Sequence, residues 1–455
     1  MSSKVTLTIT AGNLKGQEFT FDTRTTCIIG RAKDCYPNIP DDDKHRTISR
    51  YHCLLDINPP DIRIRDFGSK NGTFVNSKKI GQREAHQSPK EAAQIQFPEY
   101  DLGEGDEFTL SDTSFRVAVA IDPEIAKNFQ QQSPPIIPSN QANLWEMLQA
   151  FLLKAVGGEN NIGVLGDYVL LKELGKGGFS LVYLARHKQT NEEVALKVML
   201  PKVAANQRAV NWFLREVDNT KCLKHPHVVG FKESGYADET FFFTMEYCEG
   251  GSVVDLMAKR GVSTLPIAES VAIIIQVLDG LTYTHNAEIP NVRLADGSFA
   301  KGRGLIHRDL KLGNIFLANV GGKQVAKIGD YGLAKAFDQA GLSGLTLTGN
   351  AVGTPYFMPR QQVLDYKYAQ PEVDVWAAAA CLYVMITGFS PRNFVGLDPF
   401  RAVLDNDVVP IRDRTSSIPQ PLATIIDRAL IDNPEIYYKS AVYFKQALLN
   451  TISQN

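Results

Sequence analysis

Hydrophobic and polar residues alternate in short segments along the first 121 residues of the chain, with turn residues between the segments. The segments read KVTLTI, EFTFDT, TCIIGR, HCLLDI, IRIRDF, GTFVN, EFTLSD and FRVAVAI. A period of two is typical of strands that bury one face, and short strands at this spacing indicate an antiparallel β-sandwich. We therefore predict an all-β domain over residues 1–121.

The next segment, residues 122–165, predicts a linker that contains one short helix. It includes the polar run NFQQQSPPIIPSNQAN, whose Gln, Pro, Ser and Asn content favours an extended chain over a packed core. LWEMLQAFLLKAV follows from Leu144 and has apolar residues at helical spacing. We expect this amphipathic helix to pack on a neighbouring domain without carrying chemistry.

From residue 166 the pattern changes to strands around a glycine-rich turn and then to long helical segments. IAESVAIIIQVLDGLTYTH and VDVWAAAACLYVMITG are hydrophobic on most faces and predict buried helices. The longest apolar stretch begins at Val375 and is shorter than the roughly 20 residues that a bilayer span requires. We therefore predict an α+β domain over residues 166–455 and expect no membrane partner.

Composition and charge narrow the choice of partners and compartment. The chain has 48 Lys and Arg residues against 50 Asp and Glu, so no overall basic field is available to hold nucleic acid. Its six cysteines form no CxxC pair, which is typical of free thiols in a reducing compartment. The N-terminal MSSKVTLTIT lacks the apolar core of a signal peptide. We expect a cytoplasmic protein with no nucleic-acid partner.

The segment ELGKGGFSLVYLARH is a candidate phosphate-binding loop because it contains Gly175, Gly177 and Gly178. Glycine has no Cβ, so backbone N–H groups can approach phosphate oxygens closely. SLVYLAR continues as a strand after the loop, whereas a dinucleotide-binding fold requires a helix there. The glycine turn therefore joins two strands.

An ordered set of charged and polar residues follows this glycine loop. The set comprises Lys197 in EVALKVM, Glu216 in VNWFLREVDNTKCL, Asp309, Lys311 and Asn314 in LIHRDLKLGNIF, and Asp330 in KIGDYGLAK. Any one of these residues, taken singly, would be an ordinary surface or ion-pair residue. Their common order after a glycine loop indicates a single site.

The set closely resembles that of the eukaryotic-type (Hanks-type) protein kinases, bacterial serine/threonine branch, from residue 166 to about residue 452. The resemblance implies a bilobal α+β kinase fold in which Lys197 pairs with Glu216 and holds the α- and β-phosphates of ATP. It also implies that Asp309 accepts the substrate hydroxyl proton and that Lys311 neutralises the transferred phosphate. Fixed cations suit phosphoryl transfer because its transition state spreads negative charge over several oxygens.

By the same resemblance, Asn314 and Asp330 would hold Mg²⁺, for which Mn²⁺ could substitute. The glycine loop would cover ATP, and the adenine site would include Val182, Ala195, Glu246, Cys248 and Phe316. The metal aspartate stands in a DYG variant, in which Tyr331 keeps an aromatic ring where the family has phenylalanine.

Three further places depart from the kinase pattern. Pro359-Arg360-Gln361 replaces the APE that follows the activation segment, and Tyr437 stands where the family has the arginine that pairs with that glutamate. Because both partners are changed together, neither charge would be left buried alone. Residues 286–303 are an insertion that we expect to form an exposed hairpin and to which we assign no role.

The first domain contains CIIGRAKDC, ISRYHCLL and RDFGSKNGTFVN, which resemble the GR, SxxH and NGT signatures of the forkhead-associated (FHA) domain, a phosphothreonine-binding β-sandwich. The resemblance implies that Arg31 and Ser49 take the phosphate and that Asn71 holds the peptide backbone. Arg50 or Lys70 could add positive charge. We expect His52 and Gly72 to brace these loops. The DFG tripeptide at residues 66–68 belongs to this domain and is not the metal motif.

The activation segment suggests a regulatory link between the two domains. It carries hydroxyls at Thr346 and Thr348, and Arg308 corresponds to the arginine that in related kinases pairs with a phosphate on this segment. We hypothesise that one of these threonines is autophosphorylated, activates the kinase through Arg308, and is also read by an FHA site. The other interpretation is that the FHA site serves a separate phosphothreonine protein.

Two classes of function follow from the sequence. The first is a serine/threonine protein kinase that acts on protein substrates and carries a phosphopeptide-binding module. The second is a pseudokinase scaffold whose FHA domain recruits phosphoproteins. The intact set of Lys197, Glu216, Asp309, Asn314 and Asp330 favours the enzyme.

Overall fold

The computed structural model describes residues 4–22, 25–84, 86–87, 97–120, 167–176, 180–199, 217–237, 240–293, 299–331, 355–364, 369–395 and 398–452. These residues belong to two compact units. The first unit is Met1–Gln132 with Gly353–Lys439, and the second is Ser133–Val352 with Ser440–Asn455. The predicted linker helix at Leu144 lies outside the described residues, and the predicted domain boundaries stay predictions.

Strands dominate the first part of the described chain, and helices dominate the last part. The first strands are β1 Lys4–Ala11, β2 Glu18–Phe21, β3 Thr25–Ile29, β4 Cys53–Asn58, β5 Asp61–Asp66, β6 Thr73–Val75, β7 Lys78–Gly81, β8 Tyr100–Leu102, β9 Glu107–Leu110 and β10 Thr113–Ala120. The later strands are β11 Tyr168–Lys176, β12 Ser180–His187, β13 Glu193–Met199, β14 Phe231–Ala237, β15 Thr240–Glu246, β16 Gly251–Ser252, β17 Glu288–Arg293, β18 Phe299–Arg303, β19 Ile315–Val320 and β20 Lys323–Ile328. The helices are α1 Val253–Arg260, α2 Ile267–Thr284, α3 Arg360–Leu364, α4 Glu372–Thr387, α5 Pro399–Asp405, α6 Ile411–Arg414, α7 Gln420–Ala429 and α8 Ala441–Ile452.

The N-terminal part of the first unit is a sandwich of two antiparallel sheets. A six-stranded sheet has the order β2-β1-β10-β9-β6-β7, and a four-stranded sheet has the order β3-β4-β5-β8. Alternate residues of β1, such as Val5 and Leu7, are fully buried in the core between the sheets. Phe108 and Phe115 stack in that core with ring centres 4.8 Å apart. The predicted all-β sandwich is confirmed, although the short strands β7 and β8 were not predicted.

The first unit also contains helices α3 to α7, and a second apolar cluster joins two of them, α3 and α5, to the four-stranded sheet. The cluster, termed the shared cluster, consists of Ile28, Ala32, Cys35, Leu54, Phe67, Met358, Val363, Val403 and Leu404. Phe67, from the tripeptide that resembles the kinase metal motif, is therefore a packing residue. The four-stranded sheet has apolar neighbours on both faces.

An ion-pair network holds the segment in which the family pattern is altered. Arg392 pairs with Asp432, and both side chains are almost completely buried. Arg360 reaches the same carboxylate at 3.3 Å, and Gln361 Nε2 donates to the Asp432 carbonyl at 2.6 Å. Tyr437 is half exposed. Sequence reasoning found both partners of the family's glutamate–arginine pair replaced, but it missed Asp432, whose carboxylate receives two arginines in this segment.

The second unit contains a five-stranded sheet with the order β11-β12-β13-β15-β14 and a three-stranded sheet with the order β16-β19-β20. Helix α2 packs on β20 and on α8. Strands β17 and β18 pair as a two-stranded sheet, which confirms the predicted hairpin in the insertion. Both predicted apolar helices, α2 and α4, are also confirmed.

Helix α2 has the length and apolar composition that a membrane span requires, with 18 residues and a mean hydropathy of 1.3. Half of this helix is buried inside the protein. A core helix has the same composition, so this observation is weak evidence for a span.

Gly280 allows α2 to pack closely against the segments that contain His227 and Ile328. A Cβ at this position would lie 2.6 Å from the His227 carbonyl oxygen and 3.0 Å from Ile328 Cδ1. That carbonyl accepts a hydrogen bond from the Ile328 N–H at 3.0 Å, so it is not free to move. The glycine is therefore required by packing.

We predict that Gly280→Ala lowers the free energy of unfolding by roughly 1–3 kcal/mol, as overpacking does. Without such a close contact, replacing glycine by alanine inside a helix raises the free energy of unfolding by about 1 kcal/mol. The sign of the measured change therefore distinguishes overpacking from helix propensity. Urea unfolding measures it, with Gly313→Ala as control because nothing lies within 4 Å of a Cβ there. A stability gain for Gly280→Ala would contradict the close approach.

Candidate functional site

The second unit brings together a lysine and an aspartate from the predicted kinase set. Lys197 lies on β13, where it pairs with Val182 of β12 and Phe243 of β15. Its Nζ lies 2.8 Å from Asp330 Oδ1, two residues after the end of β20. The strand register therefore places the Lys197 ammonium against the DYG aspartate.

The Lys197 ammonium keeps Asp330 ionised. Desolvation alone would raise the pKa of this carboxyl, but Lys197, with smaller contributions from His307 and Lys311, outweighs it and lowers the pKa below its usual value. Asp330 also has a φ of 60°, which is uncommon for a residue with a side chain. Such conformations persist only where surrounding contacts impose them.

Those contacts come from the residues on either side of Asp330. His307 Nε2 donates to the Gly329 carbonyl at 2.9 Å, and its ring meets the Tyr331 ring edge-on at 4.7 Å. The Tyr331 hydroxyl forms a hydrogen bond of 3.1 Å with Thr284 Oγ1, and both side chains are buried. The tyrosine of the DYG variant thus contributes a buried hydrogen bond that phenylalanine could not make.

The catalytic-loop residues form a second hydrogen-bonded group. Lys311 Nζ lies 2.8 Å from Asp309 Oδ2. Asn314 Nδ2 donates to the Asp309 carbonyl oxygen at 2.8 Å and, more weakly, to Asp309 Oδ2 at 3.3 Å. The Asp309 N–H in turn donates to His307 Nδ1 at 3.2 Å. These bonds fix both the backbone and the carboxylate of Asp309.

The donor atoms of this site fit a magnesium ion. Asn314 uses its Nδ2 toward Asp309, so its carboxamide oxygen is the atom that could ligate a cation. Asp330 offers an ionised carboxylate, and Mg²⁺ prefers oxygen ligands with few protein groups and substrate phosphates to complete the shell. Among the described residues no group of three or more His, Cys, Asp or Glu side chains could hold a metal.

The predicted adenine residues are partly collected in one apolar cluster. Cys248 lies in a buried group with Val229 and Ala318, against which Met245 and Phe316 pack. Burial, with the Glu246 charge nearby, raises the pKa of the Cys248 thiol to about 12, so the thiol is neutral. Val182 and Ala195 lie on β12 and β13 of the five-stranded sheet.

The Glu246 side chain is engaged away from any adenine contact. It pairs with Lys327 at 2.9 Å and accepts the Gly230 N–H at 3.1 Å. The Glu246 N–H also donates to the Gly230 carbonyl at 2.8 Å, which leaves the backbone carbonyl oxygen as the group for the predicted adenine contact. Gly175 lies in β11 opposite Val182.

Several predicted site residues lie outside the described residues, namely Gly177, Gly178, Glu216, Thr346 and Thr348. Their assigned roles stay predictions. Arg308, the predicted phosphate partner on the activation segment, is described and has a φ of 64°.

In the first unit, the predicted phosphopeptide residues lie on two loops that touch. Ser49 and Arg50 precede β4, and Lys70 and Asn71 connect β5 to β6. The Lys70 N–H donates to Ser49 Oγ at 3.0 Å, and Asn71 Nδ2 donates to the Thr47 carbonyl at 2.5 Å. The loops therefore form one surface with serine, lysine, arginine and asparagine side chains.

Arg31 is the predicted phosphate ligand, and its guanidinium is already engaged. Nε donates to the Ile48 carbonyl at 2.5 Å, and Nη1 pairs with the carboxylate of Asp41. Asp41 is itself largely exposed. A phosphate at Arg31 would have to compete with Asp41 for the guanidinium, and sequence reasoning did not anticipate this.

Two buried polar residues hold these loops in place. Asp66 accepts hydrogen bonds from the N–H groups of Gly68 and Ser69 and from the hydroxyls of Ser69 and Thr73, at 2.6–2.9 Å. His52 accepts the Ser49 N–H on Nδ1 and donates from Nε2 to the Gly72 carbonyl, each at 3.1 Å. Asp66 thus shapes one loop, and His52 connects both.

Comparison with known proteins assigns a family to each part of the chain. The protein kinase domain family matches residues 168–435, and the FHA domain family matches residues 27–111. The chain therefore belongs to the protein kinase family and carries an FHA domain.

Its relatives are serine/threonine kinases. It is similar to the serine/threonine-protein kinase PknF of Mycobacterium tuberculosis, 30% identical over 285 residues that cover 62% of this chain and 55% of PknF. It is also similar to a probable serine/threonine-protein kinase of Clostridium perfringens, 29% identical over 282 residues that cover 61% of this chain and 37% of that protein. Thus the chain spans only part of the length of these relatives. The crystal structure of Rad53 residues 1–466 with AMP-PNP aligns over 98% of this chain and 99% of that one, with 18% identity and a TM-score of 0.46.

The burial of His52 predicts a pH dependence of stability. Desolvation lowers the pKa of His52 below its usual 6.5, against smaller opposing effects of Asp66 and the Gly72 bond. The unfolded chain then binds more protons than the folded one below about pH 6.5, so stability is lost as the pH falls through this value, by up to about 1.4 kcal/mol per pH unit.

We expect His52→Gln, which can keep both hydrogen bonds, to flatten the stability profile between pH 7.5 and pH 5.5, measured by urea unfolding. His86→Gln, at an exposed position, is the matched control and should leave the profile unchanged. Identical profiles for His52→Gln and the parent protein would refute the assignment of a neutral bridging histidine.

Proposed function

We propose that this protein transfers the γ-phosphate of ATP to serine or threonine hydroxyls of protein substrates, and that its FHA domain binds phosphothreonine. The observation that carries the kinase half is the pairing of two fixed groups, Lys197 with Asp330 and Lys311 with Asp309, each at 2.8 Å. Phosphoryl transfer depends on positioning and on cations that meet developing negative charge. Lys197 and Lys311 can each supply such a fixed cation.

Each residue has a separate task in the proposed reaction. Mg²⁺, when bound by Asp330 and Asn314, would neutralise phosphate charge. Lys197 would orient the α- and β-phosphates, since it lies on a strand that is paired on both sides and its ammonium is held against Asp330. Asp309 would accept the substrate hydroxyl proton, and Lys311 beside it would stabilise the phosphoryl oxygens. The hydrogen bonds from Asn314 keep the Asp309 carboxylate in position to do so.

A pseudokinase scaffold is the rival function. A scaffold would be free to lose the five residues of the kinase set, yet all five are present in this chain. Four of them are described, namely Lys197, Asp309, Asn314 and Asp330. These four form the two hydrogen-bonded groups of the site. No described feature favours the scaffold over the enzyme.

We predict that Asp309→Asn lowers phosphate transfer by roughly 100-fold or more, in the range of a lost general base. ATP binding should survive because the asparagine leaves Lys197 and Asp330 in place. Transfer is measured with radiolabelled ATP and a generic protein substrate, and binding with a fluorescent ATP analogue. Asp413→Asn, on an exposed position of α6, is the control. Transfer at the parental rate by Asp309→Asn would exclude the proposed reaction.

For the FHA half, the arrangement around Ser49 suits a phosphate dianion. Arg31, Ser49, Lys70 and Asn71 supply a guanidinium, a hydroxyl, an ammonium and an amide on loops braced by buried residues. Charge-assisted bonds from such donors are the stronger ones in proteins. None of the six cysteines, all of which are described, forms a disulfide, and five of them are buried, which suits the cytoplasmic location that we propose.

We predict that Arg31→Ala in the full chain weakens binding of phosphothreonine peptides by about tenfold or more, the loss of one charged contact worth at least 1.4 kcal/mol. Asp41→Asn should instead tighten binding, because it frees Arg31 from a competing carboxylate. Asp43→Asn, whose exposed side chain pairs with Arg46, is the matched control. Titration calorimetry measures the peptide affinity of each variant. Equal affinity for phosphorylated and unphosphorylated peptides would refute the binding function.

A further inference from the structure

The four-stranded sheet of the FHA domain is covered on the face that points away from the sandwich core. Cys27 and Ile29 of β3 lie in that core, whereas Ile28 between them is buried in the shared cluster. Leu54 of β4 likewise lies in the shared cluster, with its neighbours Cys53 and Leu55 in the core. Successive strand residues point to opposite faces. The second face is therefore covered by apolar residues of the kinase segment, namely Met358, Val363, Val403 and Leu404.

A buried ion pair fixes helix α5 on this face. Arg65 of β5 lies with Nη1 2.5 Å from Asp398 Oδ2, and each side chain is only 3% exposed. The other oxygen of Asp398 accepts the N–H groups of Phe400 and Arg401, at 3.0 and 3.1 Å, and so caps α5. One carboxylate thus both begins the helix and attaches it to the sheet.

Arg401, in the first turn of α5, contacts the base of both phosphopeptide loops. Its Nη1 donates to the carbonyl oxygens of Tyr51 and Phe67, at 3.4 and 3.3 Å. Its guanidinium carbon lies 5.5 Å from the centre of each of these two rings. Asp405, one turn along the helix, pairs with the guanidinium at 2.6 Å. A single buried side chain therefore bridges the two loops.

The two bridged residues are close to the phosphate-binding positions. Tyr51 comes two residues after Ser49, and Phe67 comes three residues before Lys70. The Lys70 N–H donates to Ser49 Oγ, so the loops are joined on the ligand side as well. Movement of Arg401 would change the spacing of the loop bases and, with it, this contact.

We propose that Arg401 is a positioning residue for the phosphopeptide site, and that phosphopeptide binding and the packing of α5 on the sheet stabilise each other. The proposal rests on the phosphothreonine-binding function proposed for the FHA domain. Coupling between two sites is reciprocal. Loosening α5 lowers phosphopeptide affinity, and bound phosphopeptide makes local opening of α5 rarer. Occupancy of the FHA site is thereby transmitted to the kinase segment that follows the activation segment.

The first test measures affinity in the full chain. The probe is a fluorescent degenerate peptide mixture centred on phosphothreonine, with its unphosphorylated counterpart, followed by anisotropy. Arg401→Met keeps the aliphatic packing but removes the guanidinium, and we expect its affinity to fall roughly fivefold or more, the lower end of measured couplings. Arg412→Met on α6 is the control, because Arg412 is exposed and bonds only locally to Ser416 and Gln420 among its described contacts. Its affinity should equal that of the parent.

The second test uses the unaltered protein and holds even if Arg401→Met does not fold. Hydrogen exchange of the amides of residues 400–405 is measured with and without the phosphorylated mixture, and we expect slower exchange when it is bound. A purely structural Arg401 would leave these amides unaffected by the peptide.

The outcomes separate the two proposals. Peptide binding that is equal in Arg401→Met and the parent, or protection confined to residues 67–71, would overturn the coupling and leave phosphothreonine binding intact. Failure of the parent to prefer the phosphorylated mixture would remove the binding function and the coupling with it. Weaker binding by Arg401→Met, together with protected α5 amides, would support both.

Discussion

A charge that leaves water has to meet an opposite charge, and this requirement determines how several elements of the protein are placed. The pairs are Lys197 with Asp330, Arg65 with Asp398, and Arg392 with Asp432. Such a pair adds little net stability, but removing one partner leaves an uncompensated charge that costs about 3–5 kcal/mol. We infer that each pair selects one arrangement of its elements: a strand lysine against the DYG aspartate, a capped helix on a sheet, and an anchored segment after the activation segment.

The tripeptides Asp-Phe-Gly and Asp-Tyr-Gly show that the contacts around an aspartate determine its role. Asp66 is surrounded by four hydrogen-bond donors from its own loop, which occupy its oxygens and leave none for a metal. Asp330 faces a lysine and is partly open, so its carboxylate can take a cation. The aromatic residues differ in the same way. Phe67 fills an apolar cluster, whereas Tyr331 uses its hydroxyl on Thr284.

Much of this could be predicted from the sequence because the relevant signals are local. Strand alternation indicated the sandwich, and the order of Lys197, Asp309, Asn314 and Asp330 indicated the kinase site. The partners that lie far away in the chain could not be predicted. Asp41 was not identified as the partner of Arg31, nor Asp432 as the partner of Arg360, because single charged residues on loops carry no periodicity. Short strands such as β8, with three residues, are also too short to show a recognisable alternation of hydrophobic and polar residues.

One local signal in the sequence points to the covered sheet face, although it was not recognised. TCII and HCLL place apolar residues at consecutive positions, whereas a sheet with one face in water needs them only at alternate positions. Consecutive apolar residues therefore require a cover for the second face, but they cannot say which segment supplies it. The cover, α5, is attached by a pair whose members are 333 residues apart in the chain. The predicted domain boundary at residue 121 separates the two domains along the sequence. The burial of Ile28 and Leu54 nevertheless depends on a segment that comes much later in the chain. The outer face of the FHA sheet is thus buried by the kinase segment, and this dependence is the physical basis of the proposed coupling between phosphopeptide binding and the packing of α5.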